Sequence, residues 1–148
     1  MALKNQIQED LFTSMKAKDE VRVSALRMLK AAILKFEVAT GERKEASDSD
    51  ILGLIQKEIK QRQDSIEQFQ KGNRFDMAER EEKEMAVLKA YMPPQLTEEE
   101  VLQLAKAAVE QSGAKGKGEI GKVMALLMPQ VKGKADGSMV NKIVSQLL

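Results

Sequence analysis

The sequence predicts an all-α protein in two parts, a larger N-terminal domain of about four helices followed by a small three-helix C-terminal domain. Apolar residues recur at steps of three and four along most of the chain. No stretch alternates between apolar and polar residues with turn signals at its ends, as a strand would. Pro93 and Pro94 divide the chain, because two successive prolines cannot continue a helix. We therefore predict an N-terminal domain over residues 1–92, a linker over 93–96 and a C-terminal domain over 97–148.

Four apolar stripes predict the helices of the N-terminal domain. Asp19 and the cluster Ser47–Asp50 are residues that commonly begin helices, and Gly41 and Gly72 are of the type that ends them. Arg62 fills a gap in the stripe of the third helix. The stripes are Leu3, Ile7, Leu11 and Met15; Leu26, Leu29, Ile33 and Phe36; Ile51, Ile55, Ile59, Ile66 and Phe69; and Phe75, Ala78, Met85, Leu88 and Met92.

Three further helices are predicted in the C-terminal domain. Thr97 and Glu100 have the spacing of a capping box at the start of the fifth helix. A Gly- and Lys-rich stretch follows that helix, and Pro129 kinks or ends the next one. Asp136 caps the last helix. The stretch covers Gly113–Gly121, and the last two helices cover Lys122–Met128 and Ser138–Leu148.

The composition excludes several classes of enzyme and of binding site. The 148 residues include no cysteine and no histidine, which excludes disulfides, thiolate metal sites and Ser-His-Asp catalysis. The longest apolar run, Val123–Met128, is too short to cross a membrane. The first residues also lack the apolar core of a signal peptide. We therefore expect a soluble, cytoplasmic protein with no membrane association, no cofactor, no metal and no catalytic residue.

The loop Gly116–Gly121 matches the pattern G-x-G-x-x-G, and with Lys122 it nearly matches a phosphate-binding P-loop. Both motifs need a preceding strand, and the sequence predicts a helix there. The P-loop also needs a hydroxyl residue where this chain has Val123. We therefore interpret the segment as a flexible loop between helices.

Glutamates cluster in the fourth helix and could suggest a carboxylate metal site. Lys83 lies four residues after Glu79, and Glu84 lies four residues after Arg80. This spacing favours ion pairs along a solvated helix face. We therefore interpret Glu79, Glu81, Glu82 and Glu84 as such a face.

Lysines are concentrated in the C-terminal domain. Between Gly113 and Asn141 there are five lysines against two acidic residues, within a chain of net charge +1. Lysines beside the exposed amides of a helix start suit phosphate groups, although an ordinary solvated loop also explains them. No aromatic residue lies nearby to stack on a base. The lysines are Lys115, Lys117, Lys122, Lys132 and Lys134.

A second basic set decorates the second helix. It comprises Arg22, Arg27, Lys30 and Lys35. We interpret it as the polar side of an amphipathic helix.

Two stretches of the chain together resemble the YqeY family. In the front half the resemblance lies in Lys60–Ile66 with Phe69 and in Glu84–Pro93. In the back half it lies in Gly121–Met124, Lys132–Gly137, Val140–Val144 and Leu147. The last thirty residues also resemble the C-terminal tail module of the B subunit of the tRNA-dependent amidotransferase, which commonly has Asn-Pro where this chain has Asp136 and Gly137.

The resemblance implies the two-part helical fold and a role in recognition. In the amidotransferase, the related tail reaches the outer corner of tRNA, whereas the kinase and glutaminase centres lie in other domains and subunits. We therefore expect a non-catalytic accessory protein of translation, linked to amidotransferase-like (carbon–nitrogen ligase) pathways, that binds tRNA through its C-terminal module. The residues carried over are Lys115, Lys117, Lys122, Lys132, Gly133 and Lys134.

Two alternatives stay open. Gly133 either permits close backbone approach or, like Gly121, only makes a turn. At the level of function, the chain is alternatively an adaptor that docks an amidotransferase or synthetase partner through its N-terminal helices.

Overall fold

The computed structural model describes residues 2–148, which form seven α-helices, one short 3-10 helix and no strand. The predicted all-α class is confirmed. The helices divide into two compact units, one reaching to Met92 and one running from Pro93 to Leu148. The helices are α1 Leu3–Lys16, α2 Glu20–Val38, α3 Asp48–Lys71, α4 Phe75–Lys89, α5 Glu98–Ser112, α6 Ile120–Val131 and α7 Gly137–Leu147, with the 3-10 helix at Lys117–Glu119.

Side-chain caps begin two helices of the N-terminal unit, at the predicted residues. The Asp19 carboxylate accepts a hydrogen bond of 3.2 Å from the amide of Arg22 at the start of α2. At the start of α3, Ser47 Oγ accepts from the amide of Asp50 at 3.1 Å. The Asp50 carboxylate accepts from the amide of Ser47 at 3.0 Å in return. This reciprocal pair satisfies two amides that the helix itself leaves without partners.

The core of the N-terminal unit is aliphatic. Helices α1 and α2 are joined by the three residues Ala17–Asp19, so they form an antiparallel hairpin. Helix α3, 24 residues long, packs along α4. Each fully buried Leu or Ile contributes about 1.5–3 kcal/mol. The buried residues of this core are Ile7, Leu11, Leu26, Leu29, Ile33, Ala46, Ile51, Ile55 and Leu88.

Three residues of the predicted stripes are exposed and not part of this core. Met15 and Phe36 lie in the last turns of α1 and α2, and Phe75 is the first residue of α4. A helical period in the sequence does not indicate where the packing partner stops. Stripe residues at helix ends therefore extend past the core.

A buried ion pair joins α3 to α4. Arg62 Nη1 lies 2.7 Å from Glu84 Oε2 and 3.1 Å from Glu81 Oε2. Both Arg62 and Glu84 are buried. The interpretation of Glu84 as part of a solvated face is therefore wrong, because its partner lies on another helix and spacing within α4 cannot reveal it.

Two further polar contacts tie α1 to the rest of its unit. Lys4 Nζ lies 2.7 Å from the buried carboxylate of Glu37, which also accepts from the amide of Ala46 at 2.9 Å. The hydrogen bond from Lys4, followed by that from Ala46, lowers the pKa of Glu37. The Tyr91 hydroxyl donates to Asp10, and burial, with this carboxylate, raises the pKa of Tyr91.

The C-terminal unit packs α5, α6 and α7 around a second aliphatic core. Helix α6 continues through Pro129 to Val131, beyond the predicted end. The helix tolerates the proline because it lies in the last turn, where the only carbonyl deprived of a partner is that of exposed Ala125. Buried here are Val101, Ala105, Ala108, Val123, Leu127, Val131, Ala135, Val140 and Val144.

Thr97 and Asp136 cap α5 and α7 as predicted. Thr97 Oγ1 accepts from the amide of Glu100 at 3.1 Å, and Asp136 accepts from the amide of Ser138 at 3.1 Å. The Glu100 carboxylate bonds the Thr97 hydroxyl at 3.1 Å instead of the Thr97 amide. Only the first half of the predicted capping box at α5 is therefore formed.

Candidate nucleic-acid interface

All five lysines singled out by the sequence are exposed, and α6 separates them into two groups. Lys115, Lys117 and Lys122 lie before α6 and in its first turn. Lys132 and Lys134 follow its last residue. A helix of 12 residues is about 18 Å long. The structure therefore places the lysines at the two ends of one helix.

Four of these five lysines have no carboxylate partner among residues 2–148. They are Lys115, Lys117, Lys132 and Lys134. Lys122 Nζ lies 3.2 Å from Glu119 Oε1. The charges of the four lysines without a carboxylate partner are therefore available to an anionic ligand, whereas the charge of Lys122 is partly neutralised.

Glu119 fixes the conformation of the loop before α6. Its carboxylate accepts from the amide of Lys115 at 2.7 Å as well as from Lys122. The bond from the Lys115 amide, followed by that from Lys122, lowers the pKa of Glu119. The carboxylate thus draws the two ends of the glycine-rich loop together. The preceding element is α5, so the strand that a P-loop requires is not found there.

The loop between α6 and α7 is held by the segment predicted as a linker. Gln95 Nε2 donates to the carbonyl of Gly133 at 3.0 Å, and the amide of Leu96 donates to the carbonyl of Lys134 at 2.8 Å. Gly133 is buried and has a φ of +77°. Its neighbours Lys132 and Lys134 are exposed on either side. The geometry favours the turn interpretation of Gly133, because a buried residue cannot itself receive a phosphate.

The C-terminal unit offers no ring on which a base could stack. Residues 93–148 contain no Phe, Tyr or Trp. Because no ring is present for base stacking, contacts from this unit to RNA would be to phosphates and sugars.

Two other features are absent from residues 2–148. No group of three or more acidic side chains there is arranged to hold a metal ion. No helix in the same range is long and apolar enough to cross a membrane.

Sequence reasoning missed a second surface, the groove between α1 and α2. Phe12, Met15 and Leu34 line it and are exposed. Arg27 and Lys30, interpreted from sequence as the polar side of a helix, line it too. The sequence feature that could have indicated this groove is Phe12, a large apolar residue directly after the stripe residue Leu11.

The chain matches the model of a protein family described as Yqey-like protein over residues 4–148. It belongs to the YqeY family. This confirms the resemblance of both the front and the back stretches.

Among the relatives that match are fungal proteins of two names. A protein of Pyrenophora tritici-repentis named "Altered inheritance of mitochondria protein 41, mitochondrial" is 32% identical over 146 residues, which cover 97% of this chain and 79% of that protein. A protein of the same name from Lachancea thermotolerans is 38% identical over 58% of this chain and 46% of its own length. "Uncharacterized protein C22F3.15" of Schizosaccharomyces pombe is 35% identical over 59% of this chain and 69% of its own. The match thus spans under half the length of the Lachancea relative.

The prediction of a cytoplasmic protein is contradicted by these relatives. The Pyrenophora, Lachancea and Saccharomyces cerevisiae proteins all have "mitochondrial" in their names. The sequence argument rested on the missing apolar core of a secretory signal. Mitochondrial transit peptides are amphipathic and rich in arginine instead. That argument therefore could not separate cytoplasm from mitochondrion.

Proposed function

We propose that the C-terminal unit binds folded RNA, with tRNA as the expected partner, and that the chain acts as a non-catalytic accessory protein of translation. The observation that carries the proposal is the set of four exposed lysines at the two ends of α6 that have no carboxylate partner within residues 2–148. An unpaired ammonium group can bind a phosphate without first giving up an ion pair. The connection to amidotransferase-like pathways is supported by the resemblance of the tail module alone.

The arrangement favours recognition of RNA shape over RNA sequence. Lysine is a point charge without the planar geometry that reads a base edge or the fork that grips a phosphate. With no aromatic side chain in residues 93–148, unstacked bases have no platform. The two lysine groups, about one α6 length apart, suit phosphates held at a fixed spacing. Folded tRNA should therefore bind more tightly than unstructured RNA of equal length.

Paired alanine substitutions test the proposal. Lys132→Ala with Lys134→Ala removes two positive charges from one end of α6. We expect weaker binding to many tRNAs alike, and a plot of log affinity against log salt that flattens by up to about 2 units, near one per lost phosphate contact. Gel-shift titration at several salt concentrations measures both.

The matched control removes the same charge from the other unit. Lys57 and Lys60 are exposed on α3 and have no ion pair among the described residues, so Lys57→Ala with Lys60→Ala gives the same net charge. We expect this double variant to bind like the wild type. Equal losses in both double variants would show attraction to net charge alone, and a wild type that does not bind tRNA at low salt would refute the proposal.

A further inference from the structure

The groove between α1 and α2 combines an apolar floor with apolar walls. It encloses about 640 Å³. Buried Ile7, Leu11 and Ile33 form its floor. On its walls Phe12 is 56% exposed and Leu34 is 53% exposed. Large apolar side chains left in water at a concave surface are typical of an interaction site.

The rim of this groove is basic. Arg27, Lys30 and Arg43 line it and have no ion pair among residues 2–148. Glu37 is the one acidic residue of the lining, and Lys4 neutralises it at 2.7 Å. The groove therefore has an excess of three positive charges around an apolar centre.

The two walls have the periodicity and length of helix-to-helix contact. On α2 the lining residues Arg27, Lys30, Ala31 and Leu34 follow the i, i+3, i+4, i+7 spacing of one helix face. Helix α1, of 14 residues, is about 21 Å long. A helix laid along the groove would contact it over about four turns.

We propose that the groove binds an acidic amphipathic helix of a partner protein. Apolar side chains of that helix at i, i+3 or i+4, and i+7 would cover Phe12 and Leu34, while flanking carboxylates would meet Arg27 and Lys30. An RNA strand presents phosphates on its outside and would leave the aliphatic floor unused. A bilayer is reached by protruding residues, whereas this floor is recessed. The proposal does not depend on RNA binding by the C-terminal unit, and it gives the adaptor alternative a defined surface.

Designed peptides test the charge and the apolar face separately. The probe is a fluorescent 18-residue helical peptide with Leu at i, i+4, i+7 and i+11 and Glu on both flanks. The comparison peptides replace Glu by Lys or scramble the same composition. We expect the full chain to bind the acidic peptide at least about tenfold more tightly than either comparison peptide, measured by fluorescence anisotropy.

Variants of the full chain locate the binding. Leu34→Ser should weaken the acidic peptide about tenfold, as the loss of a central apolar anchor does. Arg27→Glu with Lys30→Glu should weaken the acidic peptide and strengthen the lysine peptide. Phe75→Ser, which removes an exposed apolar side chain that does not line the groove, should change the affinity for neither peptide. These residues are exposed, and circular dichroism confirms that each variant is folded.

Three results would overturn the proposal. One is equal affinity for acidic, basic and scrambled peptides. In another, the chain binds phosphatidylserine vesicles but not the acidic peptide, and Leu34→Ser abolishes the vesicle binding. That result assigns the groove to a lipid surface. The third is a concentration-dependent dimer that Leu34→Ser dissociates and the acidic peptide leaves intact, which assigns it to a second copy.

Discussion

At the scale of the residue, Arg62 illustrates what a sequence can and cannot predict. The stripe of α3 places Arg62 among isoleucines, which indicates burial, and the structure confirms it. The sequence cannot reveal which carboxylate forms an ion pair with a buried cation, because the partners belong to another helix. Glu84 and exposed Glu82 look alike in sequence, yet only Glu84 lies 2.7 Å from Arg62. Burial follows from a local period, whereas pairing follows from tertiary packing.

The substitution Glu84→Ala should destabilise the N-terminal unit strongly. It leaves the buried Arg62 guanidinium with Glu81, 3.1 Å away, as its one carboxylate partner among the described residues. Breaking a buried ion pair from one side costs about 3–5 kcal/mol, and the remaining Glu81 places this case near about 3 kcal/mol. Glu82→Ala is the matched control and should change stability by under about 0.5 kcal/mol. Urea unfolding followed by circular dichroism measures both.

The double variant Arg62→Met with Glu84→Met separates the pair from its packing. Replacing a buried pair by apolar residues of similar size is often neutral or stabilising. We expect the double variant to recover most of the stability that Glu84→Ala loses. If the free energy of unfolding of Glu84→Ala lay within about 1 kcal/mol of the wild-type value, the pair would not be the buried contact that the structure describes.

Glu37 should make the N-terminal unit sensitive to acid. Its hydrogen bonds from Lys4 and Ala46 lower its pKa in the folded state, so the unfolded chain binds this proton more readily than the folded one. The stability that these contacts contribute is complete above pH about 4.5, the ordinary pKa of the group, and is lost as the pH falls through the lower folded value. In Glu37→Gln, the temperature of thermal unfolding should therefore fall less between pH 7 and pH 3 than it does in the wild type. Glu45→Gln, at an exposed carboxylate, should leave the pH profile as it is in the wild type.

At the scale of the element, helix starts are predictable because a cap lies within three residues of the amide it bonds. Asp19, Thr97 and Asp136 are caps at the predicted residues, and Ser47 is the member of the predicted cluster Ser47–Asp50 that caps α3. Helix ends are less predictable, and α6 shows why. Pro129 removes only one hydrogen bond. The turn that contains it is still closed by the bond from the Lys132 amide to the Met128 carbonyl at 2.9 Å, and Val131 is buried there. Local rules fix a helix start, whereas the core decides how far the helix runs.

Gly133, in the loop before α7, and Gly137, the first residue of α7, should respond oppositely to replacement by alanine. Gly133 has a φ of +77°, and an added Cβ would lie 3.9 Å from Pro93 Cγ, an ordinary contact. The cost of Gly133→Ala is therefore that of the left-handed backbone, about 1–2 kcal/mol. Gly137 has open space around it and begins α7, so Gly137→Ala should stabilise the unit by up to about 1 kcal/mol. Thermal unfolding measures the stability of both variants. If Gly133→Ala were stabilising, the left-handed turn at Gly133 would be contradicted.

At the scale of the whole molecule, the sequence predicts the composition of surfaces better than their position. The basic residues of the C-terminal unit were recognised individually, but only α6 shows that they form two groups. The groove between α1 and α2 escaped prediction because its walls belong to two helices. Pro93 and Pro94 predict a boundary because proline acts on the backbone locally, and the compact units divide between Met92 and Pro93. That the two parts are separate domains stays a prediction.

The two units should unfold independently. Each unit has an aliphatic core of its own, so each has the apolar burial that an independent folding unit needs. Hydrogen exchange followed by mass spectrometry on the full chain resolves the two, because peptides of α3 report one unit and peptides of α6 report the other. Glu84→Ala should speed exchange in α3 and leave α6 as in the wild type, and Gly133→Ala should do the reverse. Equal acceleration of both helices by either variant would show a single cooperative unit, and the predicted domains would then be wrong.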